Sequence, residues 1–209
     1  MHIAIAGNIG SGKSTLTRML ARHYGWEPRF EAVEHNPYLE DYYKDIHRWS
    51  FNMEVYFLKE RFRDVIEIQQ SSNTIIQDRS IYEGVYVFME NNKAMGNLSD
   101  RDYETYMELF EQIMDVVKFP DLMIYLRCSV PHLVGNIQKR GRDYEQQMQL
   151  EYIENLNRRY DDFITNKYKG PVMIIDKDEL DFEHEPKDFA QIIDRIDQTL
   201  FGLFSPLKP

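Results

Sequence analysis

Gly7-Asn8-Ile9-Gly10-Ser11-Gly12-Lys13-Ser14 fits the pattern G-x-x-x-x-G-K-[ST] with no position missing, and Thr15 carries it onward into a helix-forming stretch. The octapeptide follows the apolar run Ile3–Ala6 and precedes helical periodicity from Lys13 to about Tyr24. The N-terminus is thereby committed to a buried strand, a glycine turn and a helix. The chemistry of anion binding asks for these residue types. Glycines let backbone N–H groups crowd around phosphate oxygens, and the helix N-terminus adds a positive dipole end. Lys13 can reach the β- and γ-phosphates of a nucleoside triphosphate, and the Ser14 hydroxyl can ligate Mg²⁺. Residue frequencies produce such a match by chance in roughly one chain of this size in a hundred. The strand-to-helix setting supplies the missing specificity, and Gly7 through Thr15 reads as a phosphate cradle.

The rest of the chain continues the alternation of strand and helix. Phe30–Glu34 is expected as a second strand, Thr74–Asp78 as a third, Leu122–Arg127 as a fourth and Val172–Ile175 as a fifth. Between them the periodicity predicts a long helix from about Trp49 to Gln70, two helices at about Tyr82–Glu90 and Asp100–Val117, and another from Pro131 to Lys139. Leu150–Tyr168 and Phe189–Leu203 complete the helical segments, and Ser99 and Asp102 mark a capped helix start. Strands alternating with helices imply an α/β fold around a parallel sheet with right-handed crossovers, whose ligands sit at the carboxyl ends of the strands.

Composition narrows the partners. The 209 residues suit one domain, and 43% hydrophobic residues suffice for a core. No apolar run approaches the about 18–20 residues of a membrane span, and the first residues lack a signal-like leader. The single cysteine, Cys128, leaves no internal disulfide and fits a reducing compartment. A formal charge of −10 argues against duplex DNA or an anionic membrane as main partner. A cytoplasmic protein that binds small molecules, with only local basic sites, is expected. The six histidines show no spacing suited to a structural zinc site.

Three further segments bear on the cradle. Asp78-Arg79-Ser80 ends the third strand; Asp78 can hold magnesium and Arg79 can meet the transferring phosphate. Lys139-Arg140-Gly141-Arg142 reads as a cationic lid, about residues 139–147, that closes over a triphosphate. Glu34, at the expected end of the second strand, can accept a proton from an attacking hydroxyl.

Taken together, Gly7–Thr15, Glu34-His35-Asn36-Pro37-Tyr38, Trp49-Ser50-Phe51…Tyr56-Phe57-Leu58…Arg61, Asp78-Arg79-Ser80-Ile81-Tyr82 and Arg140-Gly141-Arg142-Asp143-Tyr144-Glu145 resemble the deoxynucleoside kinase family. The resemblance runs from His2 to about Tyr168. It implies the P-loop kinase three-layer fold, a five-stranded parallel sheet flanked by helices, with a short Arg-rich lid. It also implies phosphorylation of a deoxyribonucleoside 5′-hydroxyl with ATP and Mg²⁺, in a homodimer, for nucleotide salvage. Within it, Glu34 matches the general base, Arg79 the arginine at the 5′-oxygen, and Arg140 and Arg142 the lid arginines. Tyr43 and Glu145 match the pair that holds the sugar 3′-hydroxyl. Phe51 and Phe88 match the aromatic walls around the acceptor base.

Four departures from the family pattern stand out. Asp78 occupies a position often held by Glu. Glu54 stands where Gln is common; an ionised carboxylate can only accept hydrogen bonds, which favours amino-bearing bases over thymine. Gly84 replaces an acidic residue that pairs with the equivalent of Arg61, which is expected to leave Arg61 free to neutralise Glu54 or to donate to purine N7. Asn136 stands where some members stack an arginine on the donor base. Purine acceptors are expected, deoxyadenosine first and deoxyguanosine second. The alternatives are a nucleoside monophosphate (thymidylate-type) kinase and a non-catalytic nucleotide sensor.

Overall fold

The computed structural model describes residues 1–31, 36–142 and 148–202. Five parallel strands form one sheet in the order β2-β3-β1-β4-β5: β1 (His2–Gly7), β2 (Glu27–Arg29), β3 (Ile75–Asp78), β4 (Leu122–Arg127) and β5 (Val172–Asp176). The helices are α1 (Lys13–Tyr24), α2 (Leu39–Lys44), α3 (Ile46–Gln70), α4 (Ile81–Glu83), α5 (Glu90–Ala94), α6 (Asp100–Met114), α7 (Val130–Arg140), α8 (Leu150–Asp162) and α9 (Pro186–Phe201). A wide π-helical turn, Gly84–Met89, joins α4 to α5, and a second, Phe163–Lys167, extends α8.

The three layers follow from alternation along the strands. In β1, Ile3 and Ile5 pack into a core with α1 and α9, while Ala4 and Ala6 face a second core built by α3, α6, α8 and the π turn. In β4, Leu122, Ile124 and Leu126 join the first core, and Met123 and Tyr125 the second. An interior parallel strand is covered on both faces, so both side-chain sets are apolar. Caps set the helix ends. Gly25 closes α1 in the left-handed conformation, and the Asp45 side chain accepts from the Arg48 N–H at 3.1 Å to start α3.

The second strand lies earlier than the sequence pattern suggests: it is Glu27–Arg29, Phe30 and Glu31 follow it outside the sheet, and the rest of the expected range to Glu34 lies outside the described residues. Pro28 disguised it, and an edge strand tolerates a proline because one side of its backbone needs no ladder partner. The short α2 was not anticipated. The aromatics of the segments after Asp78 and Leu150 pack largely inside the chain, where Tyr86 stacks on Phe163 and Tyr160 is fully buried. Among the described residues, no helix is long and apolar enough to cross a membrane.

Candidate functional site

The chain order reverses at β1, whose neighbours β3 and β4 come from opposite directions of the connectivity, and a cavity of about 550 Å³ opens beside the carboxyl ends of these strands. The glycine loop forms one wall. Gly10 has φ +85° and an added Cβ would sit 2.8 Å from the Leu133 carbonyl oxygen, so only glycine fits there. The Lys13 ammonium donates to the Asn8 carbonyl at 3.0 Å, and Asn8 in turn donates to the Ile153 carbonyl at 3.1 Å. Burial, aided by nearby Arg79, lowers the Lys13 ammonium to about 8. Asn136 donates to the Gly10 carbonyl at 2.8 Å, which ties α7 to the loop.

Register brings β3 to the same place. Asp78 pairs with Ile5, two residues before Gly7, and the Ser14 hydroxyl donates to its carboxylate. Arg79 then turns into the left-handed region, φ +72°, a conformation that costs a side-chain-bearing residue about 1–2 kcal/mol. Its guanidinium lies over the Phe88 ring at 4.5 Å and its Nε is 3.1 Å from Glu31 Oε2. The Nε lacks a directed hydrogen bond, so this is an ion contact rather than a linear bond.

Glu31 is the carboxylate that sequence reasoning missed. Arg61 donates to its other oxygen, so Glu31 bridges two buried guanidiniums on the wall of the cavity. Burial alone would raise its carboxyl; Arg79, Arg61 and, more weakly, Lys13 overcome that and hold it below the usual carboxylate range. The signal was present: a carboxylate just beyond the strand end is Glu31 once the strand is Glu27–Arg29. Glu34 and Glu145 lie outside the described residues.

Of the anticipated residues, Ile9, Gly10, Lys13, Ser14, Tyr43, Glu54, Arg61, Asp78, Arg79, Phe88, Arg140 and Arg142 all line the cavity. Gly7, Asn8, Ser11 and Gly12 shape the loop behind it, and Thr15 borders a separate hollow with Arg22 and Phe189. Phe51 does not line the cavity and packs instead against the core; Met53 and Phe57 on α3 take the wall. Arg61 is not free, because Glu31 holds it, and the absent side chain at Gly84 adds no spare room: a Cβ there would meet Arg61 Nη1 at 2.5 Å. At the start of α7, Asp178 accepts from the Ser129 N–H at 3.0 Å and lies 2.9 Å from His132 Nδ1.

Beneath the cavity lies Glu83, fully buried, which joins three segments. Its carboxylate accepts from the Gly7 N–H at 3.3 Å, the Ser80 N–H at 2.7 Å and the Tyr160 hydroxyl at 2.9 Å. Glu83→Ala leaves three buried donors without an acceptor and is expected to cost about 3 kcal/mol or more. Denaturant unfolding measures it, and a loss below about 1 kcal/mol would contradict this account.

A glycine loop, a lysine, a strand-end aspartate and a ring of arginines at the carboxyl edge of a parallel sheet define a P-loop phosphotransferase. The chain matches the family model "Deoxynucleoside kinase" over residues 3–201 and belongs to that family. It is 38% identical to a deoxyadenosine/deoxycytidine kinase of Bacillus subtilis over 93% of this chain and 90% of that one. It is 35% identical to a deoxyguanosine kinase of Lactobacillus johnsonii, again over 93% and 90%. The structure of a deoxyadenosine kinase from M. mycoides with bound dATP superposes with a TM-score of 0.84 at 35% identity, covering 94% of this chain and all of that one. The chain is accordingly a kinase of the P-loop fold.

Proposed function

We propose that this chain transfers the γ-phosphoryl group of ATP to the 5′-hydroxyl of a deoxyribonucleoside, with purines preferred and deoxyadenosine ahead of deoxyguanosine. The observation that carries the reading is one cavity with two unlike halves. The glycine loop, Lys13, Arg140 and Arg142 suit a triphosphate, while Tyr43, Met53, Phe57 and Phe88 suit a flat uncharged acceptor. Glu31 stands where the halves meet. In this reading Glu31, rather than Glu34, accepts the hydroxyl proton, since it is the described carboxylate on the cavity wall beside Arg79. Arg79, Lys13 and the lid arginines Arg140 and Arg142 neutralise charge on the phosphoryl oxygens, and Tyr43 orients the sugar, with Glu145 of the lid as its partner by family resemblance. A loose phosphoryl transition state needs positioning and charge more than covalent help.

The Ser14 hydroxyl and Asp78 carboxylate offer hard oxygen donors already in contact with each other beside the loop. That donor set suits Mg²⁺, which favours one or two protein oxygens together with phosphates and water. When bound there the ion would shield phosphate charge. The protein is further proposed to act in the cytoplasm as a homodimer. Exposed Leu109, Val116 and Phe119 offer apolar surface for a second copy, a point that sedimentation velocity checks.

The test of function is ATP consumption with each of the four deoxynucleosides, their ribose counterparts and dAMP. Turnover with deoxyadenosine and none with dAMP is expected. Preference for the monophosphate would point to a monophosphate kinase, and ATP binding without acceptor-dependent ADP release to a sensor.

A further inference from the structure

Glu54 is buried in the cavity wall on the acceptor side, and a chain of hydrogen bonds determines what each of its oxygens can do. Close beside the Tyr152 ring, the Tyr42 hydroxyl donates to Asn92 Oδ1 at 3.3 Å, and Asn97 Nδ2 donates to the same oxygen at 3.2 Å. The Asn92 amide is thus oriented with its NH₂ toward Glu54, and Nδ2 donates to Glu54 Oε1 at 2.9 Å. Oε1 is therefore an acceptor in every state. A proton on this carboxyl group belongs on Oε2.

Resting on the proposed deoxynucleoside kinase activity, we propose that Glu54 reads the acceptor base in two protonation states, so that base preference turns over with pH. With a proton on Oε2, the group presents one O–H donor and one carbonyl acceptor. Adenine answers with N1 and its 6-amino group, and cytosine with N3 and its 4-amino group. Without the proton, both oxygens accept, and guanine answers with N1–H and its 2-amino group. The proton goes to and from water; no bond other than O–H changes.

The surroundings put both states within reach. Among the described residues, no cation lies within ion-pair distance of Glu54; Arg61, two turns along α3, is engaged by Glu31. The other groups facing it are Arg79, Glu31 itself, and the hydroxyls of Tyr42, Tyr106 and Tyr152. Burial pushes the Glu54 carboxyl up to about 7, against the opposing pull of Arg61, Asn92 and Arg79. A half-protonated acid at neutral pH can thus do the work of a glutamine for one class of base and of a carboxylate for the other.

The experiment is a competition between deoxyadenosine and deoxyguanosine, read as the ratio of their kcat/KM values from about pH 6 to about pH 8, in the unaltered protein and in Glu54→Gln. The ratio cancels Lys13, Glu31 and the donor, which serve both acceptors alike. Two pH units across the midpoint change the balance of the two forms about a hundredfold, so the ratio is expected to fall at least about tenfold as pH rises. Deoxycytidine should track deoxyadenosine. In Glu54→Gln the ratio should be flat and favour deoxyadenosine throughout. A flat ratio in the unaltered protein, or a swing that survives Glu54→Gln, overturns the inference while leaving the kinase reading intact. Absence of phosphorylation of any nucleoside overturns both.

Discussion

Glu31→Gln is expected to lower turnover by about 10²- to 10⁴-fold, whereas Glu34→Gln leaves it nearly unchanged. Glu31 spans Arg79 and Arg61 on the cavity wall, and the Arg79 contact holds its carboxylate beside the guanidinium proposed to meet the phosphoryl group. The amide keeps the shape but cannot take the proton. It also leaves two buried guanidiniums undercompensated, and breaking a buried pair costs about 3–5 kcal/mol, so lost activity must be separated from lost structure. Glu31→Asp makes the separation: it retains the charge, withdraws the oxygens by one methylene, and should keep most of the stability while losing most of the turnover. Because the arginines hold the Glu31 carboxyl below its ordinary 4.5, its folded-state contribution is complete above that value and disappears as pH falls through the lowered one. Activity should therefore show no acid limb from Glu31 above about pH 5. Full turnover by Glu31→Gln, or a collapse in Glu34→Gln, would return the proton-accepting role to Glu34.

Lys13→Met should reduce kcat/KM for the donor by about 10²- to 10³-fold or more, the usual loss when a preorganised donor to developing charge is removed. Its stability should move the other way. Burial lowers the Lys13 ammonium from 10.5 to about 8, so the folded chain penalises the cation. The unfolded chain binds the extra proton between these values; the penalty is complete below about pH 8 and relieved as pH rises toward 10.5. Removing the charge at neutral pH is expected to raise stability by about 1–3 kcal/mol, after allowance for the lost bond to the Asn8 carbonyl. A triphosphate restores the cation, so donor binding near pH 8 should take up about half a proton, and this uptake should vanish in Lys13→Met. Calorimetry in two buffers of different ionisation heat measures it. An unaltered proton uptake, or a variant that retains donor efficiency, would remove Lys13 from the phosphate site.

Much of this architecture was legible before the structure. The glycine loop, the boundaries of α1 and β4, and Asp78-Arg79 at the end of β3 follow from strong local signals, each with its own physical cause. What escaped depends on distant parts of the chain. β2 is a three-residue edge strand whose proline suggests a turn, and a strand expected at Phe30–Glu34 puts the strand-end carboxylate at Glu34, whereas Glu31 is the first carboxylate after the strand observed. The π turn at Gly84–Met89 adds a residue per turn that apolar periodicity does not register. Phe51 and Met53 differ by two positions on α3, close to opposite faces, and only packing decides which one meets the cavity. An aromatic invites assignment to a binding wall, and here the core takes it. Glu54 was identified by position, but its proton depends on burial and on Asn92, which no local pattern reveals.

The contact between Gly84 and Arg61 has an evolutionary consequence. The tip of an arginine can ordinarily swing away from a new neighbour, but this one is held by Glu31 and rests over the ring of Phe57 at 4.9 Å. Even an alanine at position 84 would push on the group that steadies the carboxylate at the heart of the cleft. Mutational routes to a new acceptor through this position are therefore epistatic: a compensating change at Arg61 has to arrive first, and a lineage lacking it is confined to variation at other positions of the cavity wall.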